Sequence, residues 1–257
     1  MTQTTCDLLC GGRLRIRQPR QGYRFSIDAV ILAGAVRPAP GTRIVDLGAG
    51  CGIVALLIAA RRPGTSVVAV EIQEELARLA RENTAANGLS SRVEVVCGDL
   101  RRLERRDLGG AFDWVVSNPP FRHRGSGRLA GNDSRALARH EICVVLEDVL
   151  HAARRLLDPG GRVSLVYDAG RAADLLSGMR AAGLEPKRLR GVHGTPRHAA
   201  RLLLVEGIRG GRPGLRVEPP LFLFAAPGRY TPEVQSFFDL EPRFAGDPEV
   251  DFEQETR

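Results

Sequence analysis

The tetrapeptide Asn118-Pro119-Pro120-Phe121 follows an apolar run, residues 114–117, and is the segment best suited to chemistry. Both prolines lack an N–H group and restrict φ, so the chain can neither continue as a strand nor enter a helix there. The segment therefore holds a carboxamide, backbone carbonyl groups and an aromatic ring in a fixed arrangement. Such a set can bind a planar amino group and stack on the ring that carries it. A rigid turn without a chemical role is the alternative.

A glycine-rich turn occurs earlier, where Gly48-Ala49-Gly50-Cys51-Gly52 follows an apolar run that ends in Asp46-Leu47. Glycines let a backbone approach a ligand closely and adopt φ values that other residues avoid. The spacing Gly-x-Gly-x-Gly is one residue tighter than the dinucleotide pattern, which places a pyrophosphate at a helix N-terminus. The tighter turn favours a ligand without phosphates. Asp46 is placed either to brace the turn through backbone N–H groups or to bind a ligand ammonium group.

Two further acidic residues follow the next two strand-like runs. Glu71, which lies 23 residues after Gly48, is placed to accept hydrogen bonds from both hydroxyls of a ribose. Asp99 can accept a hydrogen bond from an adenine amino group. Because the carboxyl ends of neighbouring parallel strands meet at one sheet edge, these residues and Asp46 are expected to lie together. They indicate S-adenosylmethionine as the ligand; an NAD enzyme is the alternative, and the glycine spacing argues against it.

The elements that position these residues are predicted by short β-branched runs that alternate with longer helical patterns. The strand patterns cover residues 43–47, 67–70, 93–97, 114–117, 163–167 and 202–206, and the helical patterns cover residues 53–61, 73–87, 146–157 and 172–182. This alternation predicts an α/β fold with a Rossmann-like, doubly wound, mostly parallel sheet. Residues 8–17 read as strand and turn, and 27–35 as a short helix, in an N-terminal β/α extension that covers the site. Residues 207–214 read as a hairpin, and 221–224 as a late strand.

Positive charge indicates the kind of partner. The net charge is +7, and it rests on arginine because Lys187 is the only lysine. This balance favours a polyanion such as nucleic acid, although a solvated surface is the commoner meaning of a charge run. Arg122, Arg124 and Arg128 follow the tetrapeptide directly, and we expect them to bind nucleic-acid phosphates.

Other features of the sequence limit the class of protein. No apolar run reaches membrane-spanning length and the first residues lack a signal-peptide pattern, so we expect a cytoplasmic protein with no membrane partner. The five cysteines form no Cys-x-x-Cys pair. Neither a disulfide framework nor a metal site is therefore predicted.

The order of the glycine turn, Glu71, Asp99 and the tetrapeptide resembles class I S-adenosylmethionine-dependent methyltransferases that modify exocyclic or amide nitrogens. The resemblance implies a seven-stranded sheet, S-adenosyl-L-methionine as the cofactor, and a catalytic set made of Asn118, Pro119, Pro120 and Phe121. It implies cofactor contacts from Asp28, Asp46, Gly48, Ala49, Gly50, Cys51, Gly52, Glu71, Ile72, Asp99, Leu100 and Asn118.

Flanking segments resemble, more specifically, the bacterial tRNA1(Val) adenine-37 N6-methyltransferases over about residues 8–238. These segments are Ser26-Ile27-Asp28, Asn132-Asp133, Ala138-Arg139-His140-Glu141, Leu146-Glu147-Asp148, and residues 184–188 and 204–211. The resemblance implies N6-methylation of the adenine beside the anticodon of a valine tRNA. Phe121 stands where many members have tyrosine, and Ile27 where threonine is frequent.

The resemblance also suggests a division of the chain into an N-terminal extension, residues 1–40, a methyltransferase domain, residues 41–238, and an acidic tail, residues 239–257. Three other functions stay open at this stage. The first is methylation of a glutamine amide in a protein such as a release factor, and the second is methylation of adenine in rRNA or DNA. The third is an RNA-binding protein with a vestigial cofactor pocket.

Overall fold

The computed structural model describes residues 3–21, 24–119 and 145–240. Its strands are β1 (Thr4–Leu9), β2 (Leu14–Pro19), β3 (Arg43–Leu47), β4 (Ser66–Glu71), β5 (Val93–Cys97), β6 (Phe112–Ser117), β7 (Leu157–Asp168), β8 (Leu184–His193), β9 (Ala200–Arg209), β10 (Arg216–Val217), β11 (Leu221–Phe222), β12 (Phe224–Ala226) and β13 (Arg229–Tyr230). Its helices are α1 (Ile27–Ala35), α2 (Ile53–Arg61), α3 (Glu74–Ala86), α4 (Leu146–Leu156), α5 (Ala172–Ala181) and α6 (Pro232–Ser236). None of these described helices has the length and apolar character that a membrane span requires.

The central sheet has the order β10-β8-β9-β7-β6-β3-β4-β5, and the short β11 also pairs with β8. Strands β3 to β7 are parallel to one another, and β9 is antiparallel to both β7 and β8. Strand β8 therefore runs in the same direction as β3 to β7, and the carboxyl ends of all six strands share one edge, here called the carboxyl edge. The chain leaves β3 toward β4 and β5 and returns on the other side of β3 at β6. The switch point, where ligands bind in such sheets, lies between β3 and β6.

Both faces of the sheet are covered, which explains why its strands are apolar almost throughout. Ile44 and Val116 pack with α1, α2 and α3 in one core cluster. Val45 and Val115, the neighbouring residues on the same two strands, pack with α4 and α5 in the other. Alternate side chains of a strand point to opposite faces, so each strand contributes to both clusters.

The predicted doubly wound α/β fold is confirmed, with seven long strands in the central sheet and two two-residue strands, β10 and β11, added at its β8 side. Helices α1 and α2 have the predicted bounds.

Two details of the sequence prediction were wrong. Strand β8 was missed because Pro186 and charged residues interrupt its apolar pattern, and the register shifts next to that proline. The hairpin predicted at residues 207–214 is absent. Strand β9 continues to Arg209, because β8 extends its pairing to the Leu184–Arg209 pair. The late strand appears in two pieces, β11 and β12.

Candidate active site

The glycine turn between β3 and α2 is held by the end of β4. The N–H groups of Gly48 and Ala49 both donate to the carbonyl of Val70 at 2.9 Å, and the N–H of Gly50 donates to Glu71 Oε2 at 2.8 Å. Gly48 has a φ of +76°, and a Cβ built there would meet no atom within 4 Å. The turn therefore needs glycine for its backbone conformation and leaves open space beside it, as a ligand cradle requires.

Asp46, at the end of β3, is 1% exposed and has one unpartnered oxygen. Its Oδ2 atom has no hydrogen-bond partner among the described residues, and the N–H of Ala55 in the first turn of α2 donates to the same carboxylate. Burial raises the pKa of Asp46 to about 7; the Ala55 bond opposes this rise, and the nearby Glu71 charge adds to it. Two roles were predicted for Asp46, bracing the turn or binding a ligand ammonium group. It is Glu71 that accepts the hydrogen bond from the turn. A buried oxygen without a partner fits a donor group on a ligand.

Glu71 and Asp99 follow at the ends of the next two strands. Glu71 is 5% exposed; its Oε2 accepts from Gly50 and its Oε1 accepts from the N–H of Gln73 at 2.9 Å. Each carboxylate oxygen has two lone pairs, so Glu71 can still accept hydrogen bonds from a ribose. Asp99 is half-buried and paired with Arg101, whose Nη2 lies 2.6 Å from Oδ2. Hydrogen bonding to this guanidinium lowers the pKa of Asp99, so any ligand amino group must share its carboxylate with Arg101.

Asn118 and Pro119 lie directly after β6, beside the glycine turn. Asp46 pairs with Val116 in the β3–β6 register, and the hydroxyl of Ser117 donates to the carbonyl of Leu47 at 2.6 Å. Asn118 is therefore level with Gly48 across one strand spacing, about 5 Å. Asn118 is half-buried and Pro119 is buried. Pro120, Phe121, Arg122, Arg124 and Arg128 lie outside the described residues.

The remaining predicted cofactor residues are half-buried or buried. Asp28 is half-buried in the first turn of α1, where its N–H donates to Ser26 Oγ at 3.4 Å. Ile72 is half-buried just past β4. Leu100 and Cys51 are buried with their side chains in the core, so only their backbone groups can face a ligand. Burial raises the pKa of the Cys51 thiol to about 11, which makes it a packing residue.

Asn83, in α3, was not singled out from the sequence, yet it joins the N-terminal hairpin to the glycine turn. Its Oδ1 accepts from the N–H of Arg17 at 2.7 Å, and its Nδ2 donates to the carbonyls of Arg17 at 2.8 Å and Cys51 at 2.9 Å. The side chain is buried, with 1% exposed. The only signal in the sequence was a polar residue within the apolar stripe of α3. The side-chain amide of Asn83 therefore connects α3 to both strand β2 and the glycine turn.

This fold and this site together define a class I S-adenosylmethionine-dependent methyltransferase. Residues 25–179 match the family model described as the methyltransferase small domain. Among solved structures, a predicted O-methyltransferase, protein Atu636 from Agrobacterium tumefaciens, has the same fold with a TM-score of 0.65. It is 24% identical in sequence, and the match covers 84% of this chain and 100% of that one.

Curated relatives specify the family further. The tRNA1(Val) (adenine(37)-N6)-methyltransferase of Porphyromonas gingivalis is 32% identical over 236 residues, which cover 88% of this chain and 91% of the relative. The enzyme of the same name from Tolumonas auensis is 30% identical over 230 residues, with 88% and 93% covered. The chain belongs to the tRNA1(Val) (adenine(37)-N6)-methyltransferase family. Membership confirms the predictions that the protein is a methyltransferase and that its cofactor is S-adenosylmethionine.

We expect Asn83→Ala to weaken both the fold and cofactor binding. The change leaves backbone groups of Arg17 and Cys51 without partners, and each unsatisfied buried group costs about 1–3 kcal/mol. The free energy of unfolding, measured by urea titration, should therefore fall by about 3 kcal/mol. The affinity for S-adenosylmethionine, measured by calorimetry, should fall about tenfold because the turn is no longer tied at Cys51.

Asn87→Ala is the matched control for this prediction. Asn87 lies one turn further along the chain, and it bonds the N–H and the carbonyl of Arg15, each at 2.8 Å, in an exposed position. It has no bond to the glycine turn. We expect a loss of stability below about 1 kcal/mol and an unchanged cofactor affinity. Equal cofactor affinities in Asn83→Ala and the wild type would show that the turn does not depend on this amide.

Proposed function

We propose that the protein transfers a methyl group from S-adenosylmethionine to N6 of an adenine in tRNA. By analogy with the named function of its relatives, the target is adenine 37 of a valine tRNA. The observation that carries the proposal is the position of Asn118-Pro119, which directly follows β6 and lies level with the glycine turn across the switch point of the sheet. That position puts two hydrogen-bond acceptors beside the proposed cofactor cradle.

The proposed task of these acceptors follows from the chemistry of an exocyclic nitrogen. Its lone pair is delocalised into the ring, so it is a poor nucleophile. Asn118 Oδ1 and the carbonyl of Pro119 can accept its two N–H groups and favour a pyramidal nitrogen with a localised lone pair. The cofactor supplies an electrophilic methyl group, so positioning and electrostatics account for most of the catalysis. Once methylated, the nitrogen carries a positive charge and is acidic enough to lose a proton to water, so we assign no general base.

The residues around the turn fit the proposed cofactor. The unpartnered Oδ2 of Asp46 suits the ammonium group, and Glu71 suits the ribose hydroxyls. Asp99 suits the adenine amino group once Arg101 shares its carboxylate. The open space beside Gly48 lets the backbone approach a ligand that has no phosphate groups.

The proposal is tested by incubating the enzyme with methyl-labelled S-adenosylmethionine and, in separate reactions, total tRNA, rRNA, DNA or release factor. Digestion of the product should give labelled N6-methyladenosine from the tRNA reaction alone. A valine tRNA transcript should be labelled, and the same transcript with guanine at position 37 should not. Label in a glutamine residue of release factor, or in rRNA or DNA, would support one of the alternatives instead.

A further inference from the structure

A loop on the β8 side of the sheet lies at the same edge as Asn118. Residues 194–199 join the carboxyl end of β8 to the start of β9, so this loop lies at the carboxyl edge. The strand order β8-β9-β7-β6 places three strand spacings, about 14 Å, between the ends of β8 and β6. The hairpin formed by β12 and β13 lies beside the loop, because the N–H of Phe224 donates to the carbonyl of Gly194 at 3.0 Å. We call the loop, the start of β9 and this hairpin the basic rim.

Three arginines of the basic rim are exposed and available to a partner. Arg197 is in the loop, Arg201 is at the start of β9, and Arg229 begins β13. Their side chains have no hydrogen-bond or ion-pair partner within the described ranges. Residues 193–205 and 221–232 contain no Asp or Glu, so nothing in these segments neutralises the three charges.

Two arginines on β8, by contrast, are neutralised internally. Arg188 Nε lies 2.8 Å from Glu218, and Arg190 Nη1 lies 2.5 Å from Glu233. These pairs stabilise the β8 side of the sheet. The rim arginines have no such pairs among the described residues, so their charge is available to a molecule outside the chain.

The loop and the hairpin hold these charges in defined positions. In the loop, Thr195 Oγ1 lies 2.8 Å from His198 Nδ1, and His193 Nδ1 lies 2.7 Å from the carbonyl of His198. In the hairpin, the ring of Tyr230 stacks between Phe224 and Phe238 with centroid distances of 5.3 and 5.6 Å. Basic side chains beside partly exposed aromatic rings are typical of surfaces that bind nucleic acid.

The charge distribution along the carboxyl edge fixes the side on which a polyanion lies. Glu71 and Asp99 are at the β4 and β5 end, and the basic rim is at the opposite end. A second arginine group, which includes Arg61, lies at the end of α2 near the amino edge. Arg61 is already bonded to the carbonyl of Phe237 at 2.7 Å. Among the described residues, the rim therefore groups three uncompensated positive charges at the edge that carries Asn118.

We propose that the basic rim binds the phosphate backbone of the RNA substrate on nucleotides that flank the target adenine, an inference that rests on the proposed function. The test is the triple variant Arg197→Ala, Arg201→Ala and Arg229→Ala. We expect the Kd for tRNA to rise at least about tenfold. The slope of log Kd against log salt concentration should fall by about 2, the value for three lost contacts to single-stranded phosphates. Cofactor affinity should be unchanged.

The matched control removes the same charge elsewhere, with Arg106→Ala, Arg212→Ala and Arg216→Ala. These exposed arginines precede β6 or lie at and before β10, away from the carboxyl edge. We expect little change in the Kd or in its salt slope. Equal effects of the two triple variants, or an unchanged slope in the rim variant, overturn the proposal. Because binding is measured without turnover, a wild-type enzyme that binds tRNA but leaves it unmethylated contradicts the proposed function and not the rim.

Discussion

Replacing Asn118 by alanine is expected to lower kcat about 100- to 1,000-fold, the effect of removing one preorganised polar group aimed at developing charge. The affinity for S-adenosylmethionine should stay unchanged, because the proposed partner of Asn118 Oδ1 during transfer is the target nitrogen. Single-turnover kinetics with labelled cofactor measures the first quantity, and calorimetry measures the second. Normal cofactor binding together with slow methyl transfer is the result expected if Asn118 accepts a hydrogen bond from the target nitrogen.

Two further variants at this position separate acceptance of a hydrogen bond from packing. Asn118→Leu keeps the volume and removes the acceptor, so it should be as slow as Asn118→Ala. Asn118→Asp keeps an acceptor oxygen and should recover part of the rate. If Asn118→Ala instead loses cofactor binding or melts at a much lower temperature, Asn118 is a structural residue and the catalytic role is wrong.

Asp46→Asn is expected to remove a large pH dependence from the stability of the ligand-free protein. Below its ordinary pKa of 3.8, the Asp46 carboxyl is protonated in the folded and unfolded chains alike. As the pH rises from there to the folded-state pKa of about 7, the unfolded chain loses the proton and the folded chain keeps it. The free energy of unfolding therefore falls as pH rises, by about 4 kcal/mol in total.

The measurement is urea unfolding of the wild type and Asp46→Asn across this pH range. The difference in unfolding free energy between variant and wild type should grow by about 4 kcal/mol toward neutral pH. Glu94→Gln, an exposed carboxylate on β5, is the control and should track the wild type. A constant difference between Asp46→Asn and the wild type would show that Asp46 is ionised in the folded protein.

Cofactor binding gives a second readout for Asp46. An ammonium group beside Oδ2 favours the ionised carboxylate, so binding of S-adenosylmethionine should tighten as pH rises toward about 7 and release a proton. In Asp46→Asn this trend should disappear, and the affinity should be lower throughout. Proton release measured in buffers of different ionisation enthalpy checks the point. Equal proton release in both proteins would place the ammonium group elsewhere.

The fold was largely predictable because buried parallel strands leave a strong local signal. Runs such as residues 43–47 are apolar on both faces and end in chemistry-bearing residues, so their number, order and direction follow from the sequence. Strand β8 was not predictable by the same reasoning. It is antiparallel to β9, half-exposed and interrupted by Pro186, and its pairing with β9 along its whole length makes it a strand.

The candidate site shows the same division. The sequence by itself determined the class of chemistry, because Gly48, Glu71 and Asn118 each follow a strand whose carboxyl end must lie at one sheet edge. Only the tertiary structure decided which carboxylate braces the turn and which keeps an unpartnered oxygen. Pairing between β3 and β4 gives Glu71 the N–H of Gly50, whereas burial raises the pKa of Asp46 to about 7.

Long-range contacts also created the features that the sequence did not indicate. Asn83 and Cys51 are 32 residues apart, and Arg17 and Asn83 are 66 apart, so no local pattern can signal their shared hydrogen bonds. Arg197 and Arg229 belong to one surface because β11 and β12 follow the end of β8. Residue types and strand order are local properties and can be read from a sequence. Partners, burial and the resulting pKa values depend on packing and can be read only from the folded chain.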